Sequence, residues 1–194
     1  MKKRLLFPPM ILLFLLSACG SQGGSEGEEL ALTIRGEYLA MDRCDCQAQL
    51  TADYGQRVYD FTVSAAVEGE ETTVTILQPE EAAGITARIT EEGGALEYEG
   101  MSMETGSLDE EGLSPAQALP VLLEAARSDY MAECTLEEDG SLLRVRCADP
   151  TKNPGTGREV TLWFDAESHD LVRGEISADG MRVVRCEITQ LSRE

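Results

Sequence analysis

The chain has 194 residues, with 36 acidic and 16 basic side chains and a net charge of −20 near neutral pH. So acidic a surface repels nucleic acid, and nucleic-acid binding is therefore excluded as a function. The length suits one domain with a sizeable hydrophobic core.

The N-terminus has the features of a secretory signal over residues 1–18. Lys2, Lys3 and Arg4 precede an apolar run that ends before Cys19, and the run is shorter than the roughly 20 residues that span a bilayer. The sequence "LSAC" resembles the bacterial lipobox, in which Cys19 would receive a diacylglyceryl group and become the first residue after cleavage. An ordinary cleavable signal with an incidental cysteine is the alternative. The resemblance implies an extracytoplasmic protein anchored to the bacterial cell membrane through lipid on Cys19.

Removal of residues 1–18 would leave 13 basic against 36 acidic residues, a net charge of −23. Such a surface is repelled by anionic headgroups, so the anchor must be the lipid rather than a basic patch. Residues 19–27 are predicted to be the lipidated cysteine and a flexible linker, because Gly20 to Gly27 is rich in Gly and Ser. Residues 28–194 are predicted to form a single domain.

The domain begins with a predicted helix. Ser25 and Glu28 have the spacing of a capping box. The apolar residues that follow have helical spacing: Leu30, Ile34, Tyr38 and Met41. A strand is the alternative, because every second residue from Leu30 to Ile34 is apolar.

From Arg43 onward the hydrophobic period changes to two. Short runs with an apolar residue at every second position are separated by turn residues such as Tyr54-Gly55 and Gly93-Gly94. This pattern is typical of an antiparallel sheet with one apolar and one polar face. A helix interrupts the strands, with Ser114 as N-cap and Pro115 in its first turn. Its apolar stripe is Leu119, Leu122, Leu123 and Ala126.

The layout is therefore α+β: a helix, about six strands, a helix and about five strands, and so long a meander must curl. The order of elements, and above all the ending "VTLWFDAESHDLVRGEISADGMRVVRCEITQL", resembles the LolA/LolB-like family of lipoprotein carriers. The resemblance implies a half-open barrel whose concave apolar face is covered by the two helices. It also implies a carrier, lipid-binding or stress-sensing role rather than an enzyme.

The apolar face of the strands supplies the candidate lining of a ligand cavity in this half-barrel. The candidates are Phe61, Val63, Val74, Ile76, Ile85, Ile89, Leu96, Val160, Leu162 and Phe164. The predicted function is non-enzymatic binding of an acyl chain or another hydrophobic group. The alternative for these residues is an ordinary core, filled by Leu119, Leu122 and Leu123.

Five cysteines remain besides Cys19, and outside the cytoplasm cysteines commonly pair. Cys134 and Cys147 lie at equal distances from the Gly140-Ser141 junction, which predicts that they face each other across a hairpin. A disulfide there would contribute about 3 kcal/mol in the chain-entropy model. Two buried free thiols are the alternative.

Cys44 and Cys46 fall on the same face of one strand, in "RCDCQ". A thiol redox or metal site with Cys186 as third ligand is the most remote interpretation, because structural zinc sites space their ligands more widely. Core thiols, or one disulfide to Cys186, are preferred. No metal or other cofactor is expected.

No catalytic residues are predicted. His169 is the single histidine of the chain and falls in a predicted turn, so a Ser-His-Asp or Cys-His catalytic arrangement is not expected.

The second functional hypothesis is an envelope protein that recognises another protein without bound lipid. Trp163 falls on the polar face of its strand and, if exposed, would suit such an interface; otherwise it packs under the loop that precedes the strand.

Overall fold

The computed structural model describes residues 22–90, 93–106 and 113–194. The predicted signal, residues 1–18, and the predicted lipidation site, Cys19, lie outside the described residues.

Eleven antiparallel strands form a single sheet that curls into an open half-barrel. The strands are β1 (Arg43–Asp53), β2 (Val58–Glu68), β3 (Glu71–Gln78), β4 (Thr86–Thr90), β5 (Gly93–Tyr98), β6 (Met101–Gly106), β7 (Met131–Glu137), β8 (Leu142–Ala148), β9 (Arg158–Asp165), β10 (Leu171–Ala178) and β11 (Met181–Arg193). Their order in the sheet is β6-β5-β4-β3-β2-β1-β11-β10-β9-β8-β7. Two meanders therefore meet where β1 pairs with β11, and β6 and β7 form the two edges.

Alternation along each strand separates a concave apolar face from a convex polar face. In β1 the buried side chains are Cys44, Cys46, Ala48, Leu50 and Ala52, and the residues between them are polar and more exposed. The predicted antiparallel sheet with one apolar face is confirmed.

The N-terminal helix, α1 (Gln22–Ala40), starts earlier than predicted. The predicted linker, residues 19–27, is wrong from Gln22 onward, because Gly23, Gly24 and Gly27 belong to a helix that packs on the sheet. A Cβ atom on Gly27 would lie 3.2 Å from the carbonyl oxygen of Cys134 in β7. This glycine therefore permits a close helix–strand contact rather than flexibility.

The apolar stripe of α1 follows the helical spacing. Ile34 and Tyr38 are completely buried, whereas Leu32 is 61% exposed. The helix is confirmed and the alternative strand is wrong, because a strand would have buried Leu32 on the same face as Ile34.

The second helix, α2 (Pro115–Arg127), begins after Ser114 as predicted. All four residues of its predicted apolar stripe are buried against the concave face. It packs on β2, β3, β9, β10 and β11. The hydrophobic core therefore lies between the two helices and the concave face of the sheet.

Candidate functional site

The ten candidate lining residues all lie on the concave face, but α2 divides them into two sets. Five are buried beneath the helices: Val63, Val74, Val160, Leu162 and Phe164. The other five are half-buried: Phe61, Ile76, Ile85, Ile89 and Leu96. The first set therefore belongs to the hydrophobic core beneath the helices, which was the alternative interpretation of these residues.

The filled part of the concavity is illustrated by Leu122 of α2. A Cβ atom added to Gly174 in β10 would lie 2.5 Å from the Cδ1 atom of Leu122. The leucine thus occupies the space that any larger residue at position 174 would need. The centre of the concave face leaves no gap between α2 and β10 at this point.

The apolar face continues onto β4, β5 and β6, beyond the strands on which α2 packs. Leu96 pairs with Met103 and Tyr98 pairs with Met101, so all four side chains point to the concave side. Met101 is 68% exposed and Met103 is 61% exposed. Phe61 of β2, Ile76 of β3 and Ile85 just before β4 are half-buried beside them. The whole set is called the open apolar face below: Phe61, Ile76, Ile85, Ile89, Leu96, Tyr98, Met101 and Met103.

Met101 and Met103 were not among the predicted lining residues. Their strand, "MSMETG", has an apolar residue at every second position only at its start, so it carries a weak alternation signal. The two methionines become recognisable as part of the concave face only from their register with β5.

A row of aromatic rings borders the open apolar face at the β1–β2 hairpin. The ring centroids of Tyr54 and Tyr59 are 6.1 Å apart, and those of Tyr59 and Phe61 are 6.4 Å apart. The Tyr54 hydroxyl donates a hydrogen bond to the carbonyl oxygen of Leu113, just before α2, at 2.7 Å. The row therefore connects the hairpin to the start of the helix that covers the core.

The predicted disulfide between Cys134 and Cys147 is not formed, and both are free thiols. The hairpin loop includes a 3₁₀ turn at Glu138–Gly140. The centre of the hairpin lies one residue earlier than predicted, so the residues of β7 from Glu133 onward pair with residues of β8 two positions earlier than expected. Cys134 therefore pairs with Val145, and a bulge at Ala132 leaves Cys147 opposite Met131. The two cysteines are diagonal neighbours rather than a facing pair.

The remaining thiols, Cys44, Cys46 and Cys186, are buried and free, as the preferred interpretation of core thiols predicts. Cys44 and Cys46 share the concave face as predicted, and both are buried. Cys186, however, pairs with Leu50, so the preferred alternative of a disulfide from Cys44 or Cys46 to Cys186 is also not formed. Within residues 22–90, 93–106 and 113–194, no three His, Cys, Asp or Glu side chains are grouped to hold a metal ion.

The thiol pKa values follow from these surroundings. A hydrogen bond between the Cys44 and Cys46 thiols lowers the pKa of Cys44 and raises that of Cys46. Burial raises the pKa of Cys147 and of Cys186 to about 12. A raised pKa keeps a thiol protonated and unreactive at neutral pH.

His169 lies in the turn between β9 and β10, as predicted, with a positive φ of 62°. Its Nδ1 atom is 2.7 Å from the Oε1 atom of Glu37 in α1. Arg193, from the end of β11, also contacts Glu37 at 3.4 Å. The contacts of this histidine join α1 to the sheet.

Trp163 is not the exposed recognition residue of the second hypothesis. It lies on the convex face as predicted, but it is only 8% exposed. The Arg173 guanidinium lies 3.9 Å from its ring centroid, and its indole Nε1 donates to Glu137 at 3.0 Å. The side chains of Arg173 in β10 and Glu137 in β7 therefore cover the ring.

No helix within the described part of the chain is both long and apolar enough to cross a membrane.

No protein-family model matches the sequence, and comparison with curated proteins gives no match. Among solved structures, an uncharacterized conserved protein from Thermus thermophilus has a TM-score of 0.51 at 10% identity, covering 87% of this chain and 88% of that chain. A putative outer membrane lipoprotein-sorting protein domain from Vibrio parahaemolyticus has a TM-score of 0.48 at 11% identity, covering 88% and 93%. A LolA superfamily protein from Nitrosomonas europaea has a TM-score of 0.43 at 10% identity, covering 89% and 94%. At these identities the likeness concerns the fold alone. The chain forms an open half-barrel of eleven antiparallel strands with two helices on its concave face, which is the architecture expected from the sequence.

Proposed function

We propose that this protein is a lipid-anchored, extracytoplasmic binding protein without enzymatic activity. Its ligand is an acyl chain or another hydrophobic group, and the binding site is the open apolar face of the half-barrel. Cys19 carries the anchor, in keeping with the signal-like N-terminus and the lipobox resemblance.

The observation that carries this proposal is the difference between the two halves of the concave face. Beneath α2 the apolar side chains are fully buried by the protein itself, so they need no ligand. Ile85, Ile89 and Leu96 point to the same side of the sheet but remain half-buried, and Met103 beside them is 61% exposed. An acyl chain laid on this face would gain about 0.8 kcal/mol for each methylene group removed from water.

The neighbouring surface also favours a nonpolar ligand over a small polar one. Phe61 and Tyr59 contribute aromatic rings at one end of the open apolar face. Aromatic rings give a large apolar contact area. In this region the charged side chain of Arg88 lies on the convex face, where it pairs with Glu71 and Glu97.

Native mass spectrometry of residues 20–194, expressed in an oxidising compartment and purified without detergent, tests the proposal. A discrete added mass of lipid size, lost on denaturation, is expected. Extraction of the bound molecule would then identify its class.

A pair of variants locates the ligand. Ile76→Asp places a charge on the concave face, whereas Leu77→Asp places the same charge at the next position of β3, on the convex face, where Leu77 is 39% exposed. The added mass should be lost in Ile76→Asp and retained in Leu77→Asp, with circular dichroism to show that both variants fold. A clean apo mass in the unmodified chain, or equal retention in the two variants, would contradict the proposal.

A further inference from the structure

Within the described residues, strand β6 is an edge of the sheet. Among the described strands it pairs with β5 alone, and it stands last in the strand order. The opposite edge, β7, is different because α1 packs against it. An uncovered edge presents backbone N–H and C=O groups that can pair with another chain.

The hairpin geometry identifies the backbone groups that face this edge. Glu99 and Gly100 form a two-residue loop between β5 and β6, and both have positive φ, as a type I′ turn requires. In such a hairpin the flanking residues, Tyr98 and Met101, are a hydrogen-bonded pair, and the pairs alternate from there. The N–H and C=O groups of Ser102 and Glu104 therefore point away from β5.

The side chains of β6 differ between its two faces. Met101 and Met103 lie on the concave side and are 68% and 61% exposed. Ser102 and Glu104 lie on the convex side, opposite Glu97 and Ala95 of β5. A strand added beside β6 would place alternate residues next to Met101 and Met103 on the concave side and next to Ser102 and Glu104 on the convex side. Methionine side chains adapt readily to different apolar partners.

The surroundings of this edge carry a one-sided charge. The described residues of β4, β5, β6 and the turn between β5 and β6 include three acidic side chains, Glu97, Glu99 and Glu104, and one basic one, Arg88, which is paired with Glu71 and Glu97. A surface pocket of about 380 Å³ at the β5–β6 turn has Glu97, Glu99 and Tyr98 in its wall. Carboxylates and an aromatic ring together suit a cationic side chain.

We propose that β6 binds an extended polypeptide segment of a partner protein, in which apolar residues alternate with basic residues. The apolar residues lie on Met101 and Met103, the basic residues lie on the convex side beside Ser102 and Glu104, and the backbone pairs with Ser102 and Glu104. A second copy of this chain is a poor occupant of the same edge, because it would bring the same acidic strand into contact with itself. The site shares Met101 and Met103 with the open apolar face, but its backbone contacts with Ser102 and Glu104 do not require a ligand on the concave face.

The probe is a fluorescein-labelled synthetic peptide of about ten residues, long enough to cover one strand, in which valine and lysine alternate. It is titrated against the full chain in nanodiscs of neutral phosphatidylcholine, with empty nanodiscs as the blank, and binding is followed by fluorescence anisotropy. A peptide that alternates valine and glutamate tests the role of charge. The lysine peptide is expected to bind and the glutamate peptide is not.

Two substitutions at one position separate backbone pairing from side-chain contact. Ser102→Pro removes the outward N–H and leaves the bonds to β5 intact, as edge positions tolerate, whereas Ser102→Ala keeps the N–H. The Ser102→Pro variant is expected to bind the lysine peptide at least about tenfold more weakly, and Ser102→Ala is expected to bind it as the unmodified chain does.

Hydrogen exchange of the unmodified chain gives a second readout, which remains decisive if Ser102→Pro does not fold. The amides of Ser102 and Glu104 should exchange more slowly when the lysine peptide is present. Three results would overturn the proposal. In the first the lysine peptide does not bind, in the second it binds without protecting these amides, and in the third it binds the two Ser102 variants equally. Protection of the same amides by self-association without peptide would assign the edge to a second copy and would also overturn it. Retention of a lipid-sized mass in Ser102→Pro would show that the concave-face site is independent.

Discussion

Arg35 and Arg127 cap each other's helices. Arg35 of α1 donates to the carbonyl oxygen of Asp129 just beyond α2, at 2.6 Å, and to two carbonyl groups in the last turn of α2. Arg127 of α2 donates to the carbonyl oxygens of Tyr38 and Met41 at the end of α1, at 3.1 and 3.3 Å. The last carbonyl groups of a helix lack partners within the helix, and a cation near them is favourable. Each arginine thus stabilises the end of the other helix.

Replacement of Arg127 should therefore destabilise the whole domain. Arg127→Met keeps an apolar stem but removes two hydrogen bonds from a charged donor, and we expect the free energy of unfolding to fall by about 2 kcal/mol. Urea denaturation followed by circular dichroism measures the change. The matched control is Arg182→Met, which removes an exposed ion pair with Glu175 and should cost less than about 1 kcal/mol. Equal costs in the two variants would mean that the capping contacts contribute nothing.

The contact between Leu122 and Gly174 gives a second prediction. A Cβ atom at position 174 would lie 2.5 Å from Leu122, so Gly174→Ala should lower the free energy of unfolding by about 1–3 kcal/mol through overpacking. Adding Leu122→Ala should cost less in Gly174→Ala than in the unmodified chain, because it removes the clash. Thermal unfolding of the four proteins measures this coupling.

Gly36→Ala provides the control for Gly174→Ala. Gly36 is an exposed residue within α1, and nothing lies within 4 Å of its added Cβ. Alanine there should stabilise the domain by up to about 1 kcal/mol through helix propensity. If both alanine substitutions had the same effect, α2 would not be seated on β10 as described.

The fold was largely predictable from the sequence because the hydrophobic periodicity of each segment matches the face that the segment buries in the folded domain. Period-two alternation in strands such as β2 and the stripe of Leu119, Leu122 and Leu123 in α2 both reflect one buried face. The start of α1 was not predictable in the same way. Gly27 indicated a linker by composition, and only its contact with Cys134 in β7, which is distant in sequence, explains why a helix needs a glycine there.

The candidate site was predictable only in part, because burial on the concave face depends on where α2 lies. Sequence alternation places both Leu162 and Leu96 on the apolar face of their strands, yet Leu162 is completely buried and Leu96 is half-buried. The position of a helix across a sheet is set by side chains that are far apart in the chain. The Cys134–Cys147 pairing failed for a related reason, since one bulge and a 3₁₀ turn change the register of the hairpin.

Trp163 should behave as a buried residue in solution, and it is the single tryptophan of the chain. Because Arg173 and Glu137 cover it, its native fluorescence should lie at shorter wavelength than in urea, and acrylamide should quench it weakly. Trp163→Ala should lower the free energy of unfolding by about 3 kcal/mol. A native spectrum that matches the unfolded one would restore Trp163 as an exposed recognition residue.

Alkaline pH should destabilise the domain through its buried thiols. Burial raises the pKa of Cys147 and Cys186 from about 9 to about 12, so between these values the unfolded chain loses protons that the folded chain keeps. Stability is then unaffected below pH 9 and falls as pH rises above it, by up to about 1.4 kcal/mol per pH unit for each thiol. Urea denaturation at pH 8 to 11 measures this slope, which should be smaller in Cys186→Ala because one such thiol is gone. A level profile, or the same slope in Cys186→Ala, would mean that these thiols ionise as readily in the folded state as in the unfolded one, contrary to their burial.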